Sequence, residues 1–309
     1  MKKIIISLVL MAGIVVSASA QKAIIKIPCN ADKTIKLWDN NKAPHSNEET
    51  KDEYRNNKGN FYNTSHAVLY LFKADKKKAT GQGVIICPGG GYGTICIERE
   101  GFALAEYFQS IGVTAMVLKY RLPNYGHKEV PLEDAQEALR YMRKHGKKWH
   151  IDPTKVGIVG SSAGGHLAAY TSTFTSDEEK PAFAVLFYPV INGESCMTHQ
   201  GTFIRLLGKN HAPYLREKYS LDNCVTPTTP PTILLLSNND KTVPPINSVL
   251  YYKALKHYGV KSAMHIYPEG GHGWVGREEF RYNNDWQHQL KRWMERVEIS
   301  KSEKVKLYF

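Results

Sequence analysis

From residue 68 onward, short apolar runs rich in β-branched residues alternate with longer segments of helical periodicity. Apolar runs without a polar face predict strands that are buried on both sides, and the segments between them predict amphipathic helices. Strands and helices that alternate in this way form a mostly parallel sheet covered by helices on both faces. We therefore expect an α/β domain whose functional residues follow the carboxyl ends of the strands.

This alternation predicts seven strands, at residues 68–72, 84–87, 113–120, 156–159, 183–188, 232–236 and 263–267. It also predicts five helices, at residues 101–110, 131–145, 163–174, 246–258 and 284–297. Residues 192–228 interrupt the pattern, and a connection of this length inside a compact domain is usually functional. We interpret residues 66–309 as the α/β domain and residues 192–228 as a cap-like insertion with a short helix at LLGKN.

The first twenty residues, MKKIIISLVLMAGIVVSASA, have the layout of a secretory signal peptide. Two lysines precede an apolar run that ends in Ala-Ser-Ala before Gln21. The run is short for a membrane span and no basic stop-transfer segment follows it, so we expect no stable membrane insertion. Cleavage would give a secreted or periplasmic chain. Residues 21–65 are polar and turn-rich, and we expect an N-terminal extension that packs on the domain.

The formal net charge of the chain is +12 at pH 7. Its basic residues are scattered and lack a stripe of interleaved aromatic residues, which argues against a nucleic-acid partner. We interpret the charge as a solvated basic surface, and attraction to an acidic polysaccharide is the alternative interpretation. Five cysteines are too few for a disulfide scaffold, and no Cys/His spacing indicates a metal site. We expect neither a metal ion nor a cofactor, and the sequence leaves the oligomeric state open.

The segment GIVGSSAGGHLAA, residues 157–169, places two adjacent serines among glycines. The pattern G-x-S-x-G fits only around Ser162, because the same frame around Ser161 would need glycine at positions 159 and 163. Glycines two residues to either side relieve crowding at a strained strand-to-helix turn. A phosphate-binding loop would need Gly-Lys-Ser/Thr or G-x-G-x-x-G, and neither is present. Ser162 is therefore the predicted nucleophile.

A serine nucleophile needs a general base, and the base needs an orienting carboxylate. In this architecture the acid and then the histidine follow the serine along the chain. Asp240 follows the predicted strand 232–236, and His272 lies in the glycine-rich segment PEGGHGW after the strand 263–267. The competing candidates are weaker: we expect packing or hydrogen-bonding roles for His166 and His265, and surface positions on helices for His257 and His288. Asp285 opens the last predicted helix, where capping or an interaction with the helix dipole is the simple interpretation, and Asp222 lies in the insertion with no strand before it.

The segment PGGGY, residues 88–92, follows the predicted strand 84–87, where lipases and esterases carry an HGGG-type loop. Glycines allow backbone N–H groups to converge on a developing oxyanion without obstruction by side chains. Ala163 would add an N–H group from the start of the helix that follows the serine. The alternative interpretation of PGGGY is a plain glycine turn.

Together these segments resemble the α/β-hydrolase superfamily over about residues 66–297. Seven segments are similar to the esterase branch of bacterial acetyl-xylan and related carbohydrate esterases, which has a hormone-sensitive-lipase-like oxyanion loop: PGGGY, Glu100-Gly101, YRLP, PLEDAQEALRYMR, GSSAGGHLA, DKTVPP and GGHGW. The resemblance implies that Ser162 is the nucleophile, His272 the general base and Asp240 the orienting carboxylate. It also implies that the oxyanion donors are Gly90, Gly91 and Ala163. Proline at position 88, where many lipases have histidine, is frequent in the carbohydrate esterase branch.

The resemblance further implies a secreted serine carboxylesterase that acts on acetylated carbohydrate, such as xylan, or on small esters. A feruloyl esterase would use the same three residues with a wider acyl pocket. A prolyl-oligopeptidase-type peptidase normally carries a propeller domain, for which no segment is visible, and a non-catalytic carbohydrate-binding homologue would normally have lost one of the three residues. Arg121 is expected to pair with Asp134 at the edge of the core, and the sequence assigns no role to Glu100 beyond proximity to the PGGGY segment.

Overall fold

An eight-stranded sheet forms the centre of the protein, whose computed structural model describes residues 30–39 and 42–297. The predicted signal peptide and Cys29 lie outside the described residues. In this part of the chain the strands are β1 (Lys33–Lys36), β2 (Tyr54–Arg55), β3 (Phe61–Tyr62), β4 (Val68–Phe72), β5 (Gly83–Cys87), β6 (Thr114–Lys119), β7 (Val156–Ser161), β8 (Ala184–Phe187), β9 (Thr232–Ser237) and β10 (Ser262–Tyr267).

The order of the strands across the sheet is β1-β4-β6-β5-β7-β8-β9-β10. The six strands from β6 to β10 run parallel to one another, and the edge pairs β1–β4 and β4–β6 are antiparallel. The parallel interior strands are buried on both faces, which explains why they are continuous apolar runs in the sequence. Their carboxyl ends therefore collect at one edge of the sheet.

Helices cover both faces of this sheet. In the described residues they are α1 (Leu104–Ser110), α2 (Glu129–His145), α3 (Ala163–Phe174), α4 (Gln200–Leu207), α5 (Pro213–Lys218), α6 (Ile246–His257) and α7 (Asn283–Arg296). On one face α2 packs on α3, and both contact β5 and β7. On the other face α1 contacts β4 and β6, and it meets α7 where the Tyr107 hydroxyl donates a 2.6 Å hydrogen bond to the carbonyl of Gln287.

The prediction of a mostly parallel sheet with helices on both faces is confirmed. Every strand and helix predicted from the alternation is present, with ends that differ by up to three residues. The predicted helix 101–110 begins differently, because residues Glu98–Ala103 form a π-helical segment that continues into α1. The helix expected at LLGKN is misplaced: α4 ends within that segment because Gly208, with φ +94°, donates its N–H to Ile204 and closes the last turn.

The polar segment before residue 66 contains structure that the sequence pattern did not predict. Strand β1 extends the sheet, with Lys33 opposite Leu71. Strands β2 and β3 form a separate hairpin, in which Phe61 exchanges two backbone hydrogen bonds with Ile95, at 3.0 and 2.9 Å. The hairpin therefore contacts the chain that follows β5. The domain boundary at residue 65 stays a prediction.

A buried ion pair joins the end of β6 to helix α2. The Asp134 carboxylate accepts hydrogen bonds from Nη2 of Arg121 at 2.7 Å and from its backbone N–H at 2.8 Å. The indole of Trp38 donates a further hydrogen bond to Asp134, at 2.6 Å. Burial raises the pKa of Asp134, and the Arg121 guanidinium opposes that shift. The expected pairing of Arg121 with Asp134 is thus confirmed.

Four cysteines of the described part are free: Cys87, Cys96, Cys196 and Cys224. Among the same residues no group of three or more His, Cys, Asp or Glu side chains is arranged to hold a metal ion. No helix between residues 30 and 297, outside the gap at 40–41, combines the length and apolar character that crossing a membrane requires.

Replacing Asp134 by alanine is expected to lower the free energy of unfolding by about 3–5 kcal/mol, because the buried Arg121 guanidinium loses its closely hydrogen-bonded carboxylate and keeps only the longer ion pair with Glu133, at 3.5 Å. Glu137→Ala on the same helix removes a partly exposed ion pair with Arg140 and should change stability by no more than about 0.5 kcal/mol. Urea denaturation of both variants measures the difference. Equal effects of the two substitutions would contradict the importance of the buried pair.

Candidate active site

Ser162 occupies a strained position between β7 and α3, with φ +54° and ψ −119°. A non-glycine residue rarely adopts a positive φ, and it does so only where neighbouring structure enforces it. The Ser162 N–H donates to the carbonyl of Phe187 at 3.0 Å. The Ser162 carbonyl accepts from the N–H groups of His166 and Val190, at 3.1 and 3.0 Å. The backbone of the serine is therefore fixed by β8 and by the first turn of α3.

The two glycines that flank Ser162 are required by close backbone contacts. A Cβ atom on Gly160 would overlap the carbonyl oxygen of Gly164. A Cβ atom on Gly164 would overlap the carbonyl oxygen of Cys87 and lie 2.5 Å from that of Pro88. The spacing G-x-S-x-G thus lets the turn close on itself and on the end of β5.

His272 and Asp240 lie beside Ser162, although they are distant from it in the sequence. Nε2 of His272 is 2.8 Å from the Ser162 hydroxyl oxygen, and Nδ1 is 2.6 Å from Oδ2 of Asp240. Oδ1 of Asp240 accepts backbone N–H groups from Thr242 and Val243, both at 2.9 Å. Asp240 is buried and His272 is partly exposed. The structure therefore brings together the three residues predicted to act as nucleophile, base and orienting acid.

This arrangement sets the direction of the two hydrogen bonds. A carboxylate only accepts, so Nδ1–H of His272 donates to Asp240 and Nε2 is left as the acceptor for the Ser162 hydroxyl proton. The loop that carries His272 is tied to the Asp240 loop, because the N–H of Gly271 donates to the side-chain oxygen of Asn239 at 2.8 Å. The group can transfer a proton from the hydroxyl to the imidazole while the buried carboxylate stabilises the imidazolium.

The glycine loop after β5 turns sharply beside the serine. Gly90 and Gly91 have φ values of +132° and +61°, and the Gly90 carbonyl accepts the N–H groups of Gly93 and Thr94. In the part of the chain that the structure describes, no acceptor binds the N–H groups of Gly90, Gly91 or Ala163. These three donors are the ones predicted for the oxyanion.

His166, one of the competing histidines, anchors this loop. Nε2 of His166 donates to the carbonyl of Tyr219 at 3.1 Å, so Nδ1 accepts the hydroxyl proton of Tyr92, also at 3.1 Å. Burial lowers the pKa of His166 to about 4. The neutral imidazole thereby links Tyr92 of the glycine loop to the insertion, which is a structural role.

The insertion also reaches the glycine loop through α4, and no sequence signal other than the length of the segment indicated these contacts. Nη1 of Arg205 donates to the carbonyl of Gly91 at 3.3 Å. A Cβ atom on Gly91 would lie 3.1 Å from Cε1 of His199. Burial lowers the pKa of His199, and nearby His272 and Arg205 act in the same direction. Residues of the insertion therefore form a wall beside the predicted oxyanion donors.

The remaining competing candidates lie apart from this group. Among the described residues, the hydrogen bonds of Ser162, His272 and Asp240 involve none of them. Asp222 accepts from the side chain of Asn192, at 3.0 and 3.2 Å. The others lie on β10, α6 and α7: His265, His257, His288 and Asp285.

A mostly parallel sheet with a serine at a strand-to-helix elbow, and with an acid and a histidine after later strands, defines the α/β-hydrolase fold. The chain belongs to the prolyl oligopeptidase family, whose model matches residues 120–298. The resemblance to the α/β-hydrolase superfamily is therefore confirmed at the level of fold and family.

Two similar sequences have names that refer to xylan. The chain is 34% identical over 232 residues to an acetylxylan esterase of Xylanibacter ruminicola, a match that covers 74% of this chain and 48% of that protein. It is 33% identical to endo-1,4-β-xylanase B of Butyrivibrio fibrisolvens, over 68% of this chain and 35% of that protein. The chain thus spans about half and about a third of the lengths of these relatives.

Among solved structures, the chain is similar to an acetyl ester-xyloside bifunctional hydrolase from Caldicellulosiruptor lactoaceticus. The TM-score is 0.73 at 33% sequence identity. The match covers 87% of this chain and 97% of the other, so it extends over nearly the whole of that protein.

The burial of His166 predicts a loss of stability in acid. Its pKa is about 4 in the folded protein and about 6.5 in an unfolded chain, so between these values the unfolded state binds a proton that the folded state does not. The free energy of unfolding should therefore fall by up to about 3 kcal/mol as the pH drops through this window. His166→Gln should flatten the dependence and the exposed His257→Gln should retain it, as measured by urea denaturation at a series of pH values. An unchanged slope in His166→Gln would contradict the assignment.

Proposed function

We propose that the protein is an exported serine carboxylesterase that removes acetyl groups from a plant polysaccharide of the xylan type. The observation that carries the proposal is the pair of hydrogen bonds that His272 forms, through Nε2 with the Ser162 hydroxyl at 2.8 Å and through Nδ1 with Asp240 at 2.6 Å. The xylan-type substrate is supported by the names of the two related sequences and of the similar solved structure.

In the acylation half of the reaction, the Ser162 oxygen attacks the carbonyl carbon of the ester while Nε2 of His272 takes the hydroxyl proton. Asp240 stabilises the imidazolium that forms. The carbonyl oxygen becomes an oxyanion and is bound by the backbone N–H groups of Gly90, Gly91 and Ala163. The imidazolium then protonates the leaving sugar hydroxyl, the C–O bond breaks, and the acetyl group remains on the serine.

In the deacylation half, a water molecule takes the position of the departed alcohol. His272 removes one proton from this water as its oxygen attacks the acyl carbon, and the same donors bind the second oxyanion. Collapse of this intermediate breaks the bond to Ser162, the imidazolium returns a proton to the serine oxygen, and acetic acid leaves and ionises to acetate in solution. The side chains, the substrate and water supply every proton and electron pair, so the proposal invokes no cofactor.

Amide hydrolysis is a second candidate activity, because the matching family is described as the prolyl oligopeptidase family. The same serine, histidine and aspartate could cleave an amide, with His272 protonating a leaving amine instead of an alcohol. The relatives named as acetyl esterases favour the ester. The two activities differ in substrate and not in the residues required.

Ser162→Ala is expected to lower kcat for 4-nitrophenyl acetate by at least about 10⁴-fold, because it removes the nucleophile. Ser161→Ala is the matched control: it removes a buried hydroxyl one residue away and should leave the rate within about tenfold of the wild type. Steady-state kinetics of both variants provide the measurement. Activity that survives in Ser162→Ala would exclude the proposed mechanism.

Substrate class is decided by comparing the wild-type rates on acetylated xylan, 4-nitrophenyl acetate, methyl ferulate and an acyl-peptide 4-nitroanilide. The acetyl proposal expects the highest kcat/KM on the two acetyl esters. A higher kcat/KM on methyl ferulate would show that the enzyme is a feruloyl esterase and not an acetyl esterase. A higher kcat/KM on the anilide would show that it is a peptidase.

Export is proposed from residues 1–20, and it predicts a defined processing site. Full-length protein produced in a bacterial host should be recovered outside the cytoplasm with Gln21 as its first residue. Replacing Lys2 and Lys3 by glutamate should retain the precursor inside the cell, because the positive n-region is lost. Intact mass and N-terminal peptide analysis give the result, and an uncleaved cytoplasmic chain would refute the proposal.

A further inference from the structure

Glu100 is a buried carboxylate that the mechanism above does not use. It lies in the π-helical segment Glu98–Ala103, and only 6% of the residue is exposed to solvent. In the described residues no lysine or arginine forms an ion pair with it. Removing a carboxylate from water without a cationic partner is unfavourable unless hydrogen bonds replace its hydration. Both oxygens of Glu100 accept such bonds. One bond comes from the glycine loop, and the other comes from a tyrosine that contacts the loop carrying His272.

The first bond fixes the beginning of the glycine loop. The N–H of Gly89 donates to Oε2 of Glu100 at 2.8 Å. The carbonyl on the other side of the same peptide group, that of Pro88, accepts the Tyr120 hydroxyl at 2.9 Å. A Cβ atom on Gly89 would lie 2.9 Å from Cβ of Ser162, so this peptide group is next to the nucleophile. Two buried partners therefore set the orientation of the peptide plane that precedes the proposed oxyanion donors.

The second bond connects Glu100, through Tyr188, to the loop that carries His272. The Tyr188 hydroxyl donates to Oε1 of Glu100 at 2.9 Å and accepts the N–H of Val275 at 3.3 Å. The Tyr188 ring packs edge-on against the imidazole of His272, with the ring centroids 4.8 Å apart. Tyr188 is completely buried, which fixes its ring. Glu100 thus acts on the position of the imidazole through one intermediate side chain.

The local backbone explains how Glu100 reaches both loops. π-helical segments are rare and often occur at functional sites. A Cβ atom on Gly101 would lie 2.8 Å from Val117 and 3.2 Å from Pro88, so the segment rests directly on β6 and on the start of the glycine loop. This close approach places the neighbouring Glu100 side chain between the glycine loop and the histidine loop.

We propose that Glu100 is a positioning residue that couples the oxyanion loop to the histidine loop. Its carboxylate orients the Gly89 peptide group, so that the donors of Gly90 and Gly91 are set before substrate binds, and it holds His272 through Tyr188. The inference rests on the proposed esterase function. Preorganised donors stabilise a developing oxyanion more than the ground-state carbonyl, so the loss of Glu100 should affect the transition state more than substrate binding.

The test uses Glu100→Gln, which keeps the size of the side chain, and Tyr188→Phe, which removes one hydroxyl. For 4-nitrophenyl acetate, Glu100→Gln should lower kcat by about 10- to 100-fold while KM changes by less than about threefold. The affinity for an aryl trifluoromethyl ketone, which forms an oxyanion when the serine adds to it, should fall by the same factor as kcat/KM. Tyr188→Phe should also lower kcat and the affinity for the ketone with little change in KM, but by a smaller factor.

Two matched controls separate positioning from stability. Asp134→Asn alters a buried carboxylate whose partners lie outside the site, so it should lower the melting temperature and leave kcat of the folded enzyme unchanged. Tyr251→Phe removes a buried hydroxyl that has no hydrogen-bond partner within the described residues, so it should leave kcat unchanged and should not lower the melting temperature.

Wild-type kcat and ketone affinity in Glu100→Gln would overturn the positioning role while leaving the esterase proposal intact. An equal loss of kcat in Asp134→Asn would overturn it as well, because any buried carboxylate would then have the same effect. If Glu100→Gln does not fold, unchanged ketone affinity in Tyr188→Phe is sufficient to overturn it. A wild-type enzyme without esterase activity, or an active Ser162→Ala, would instead refute the proposed function.

Discussion

The left-handed backbone of Ser162 is the constraint on which the rest of the site depends. A non-glycine residue in such a conformation raises the energy of the folded state by about 1–3 kcal/mol, and surrounding structure has to enforce it. Hydrogen bonds to Phe187, His166 and Val190 do so, and Gly164 lets the end of β5 approach the turn. The same contact brings the glycine loop beside the serine, so the strained turn and the loop are parts of a single packing arrangement.

The central architecture could be predicted because its signals are local. Strands buried on both faces must be apolar throughout, and the strand-to-helix turn at Ser162 needs glycine at two fixed positions. Both features can therefore be recognised in short stretches of the sequence. Chain order and strand ends also sufficed to predict that Asp240 and His272 would lie near Ser162. The hairpin at residues 54–62 and strand β1 could not be recognised in this way, because the residue pattern of short, polar edge strands does not differ from that of turns.

The proximity of Glu100 to the glycine loop was expected, but its contact with Tyr188 and the contact of His199 with the glycine loop could not be predicted, because each joins segments that are far apart in the chain. The bond from Tyr188 to Glu100 spans 88 positions, and no periodicity encodes such a pair. A glutamate near the start of a helix is ordinarily exposed, whereas this one is buried within the π-helical segment. Likewise the insertion could be recognised by its length, yet the placement of α4 on the glycine loop follows from tertiary packing.

The exchange of backbone hydrogen bonds between Phe61 and Ile95 has a consequence for processing of the chain by proteases. The hairpin that supports the glycine loop comes from residues that precede the first parallel strand. Cleavage just after this hairpin would leave every parallel strand in place, together with Ser162, His272 and Asp240. A protease that removed the hairpin would also remove β1 from the edge of the sheet and Trp38 from Asp134, so the same N-terminal segment supports both the loop beside the serine and the stability of the fold.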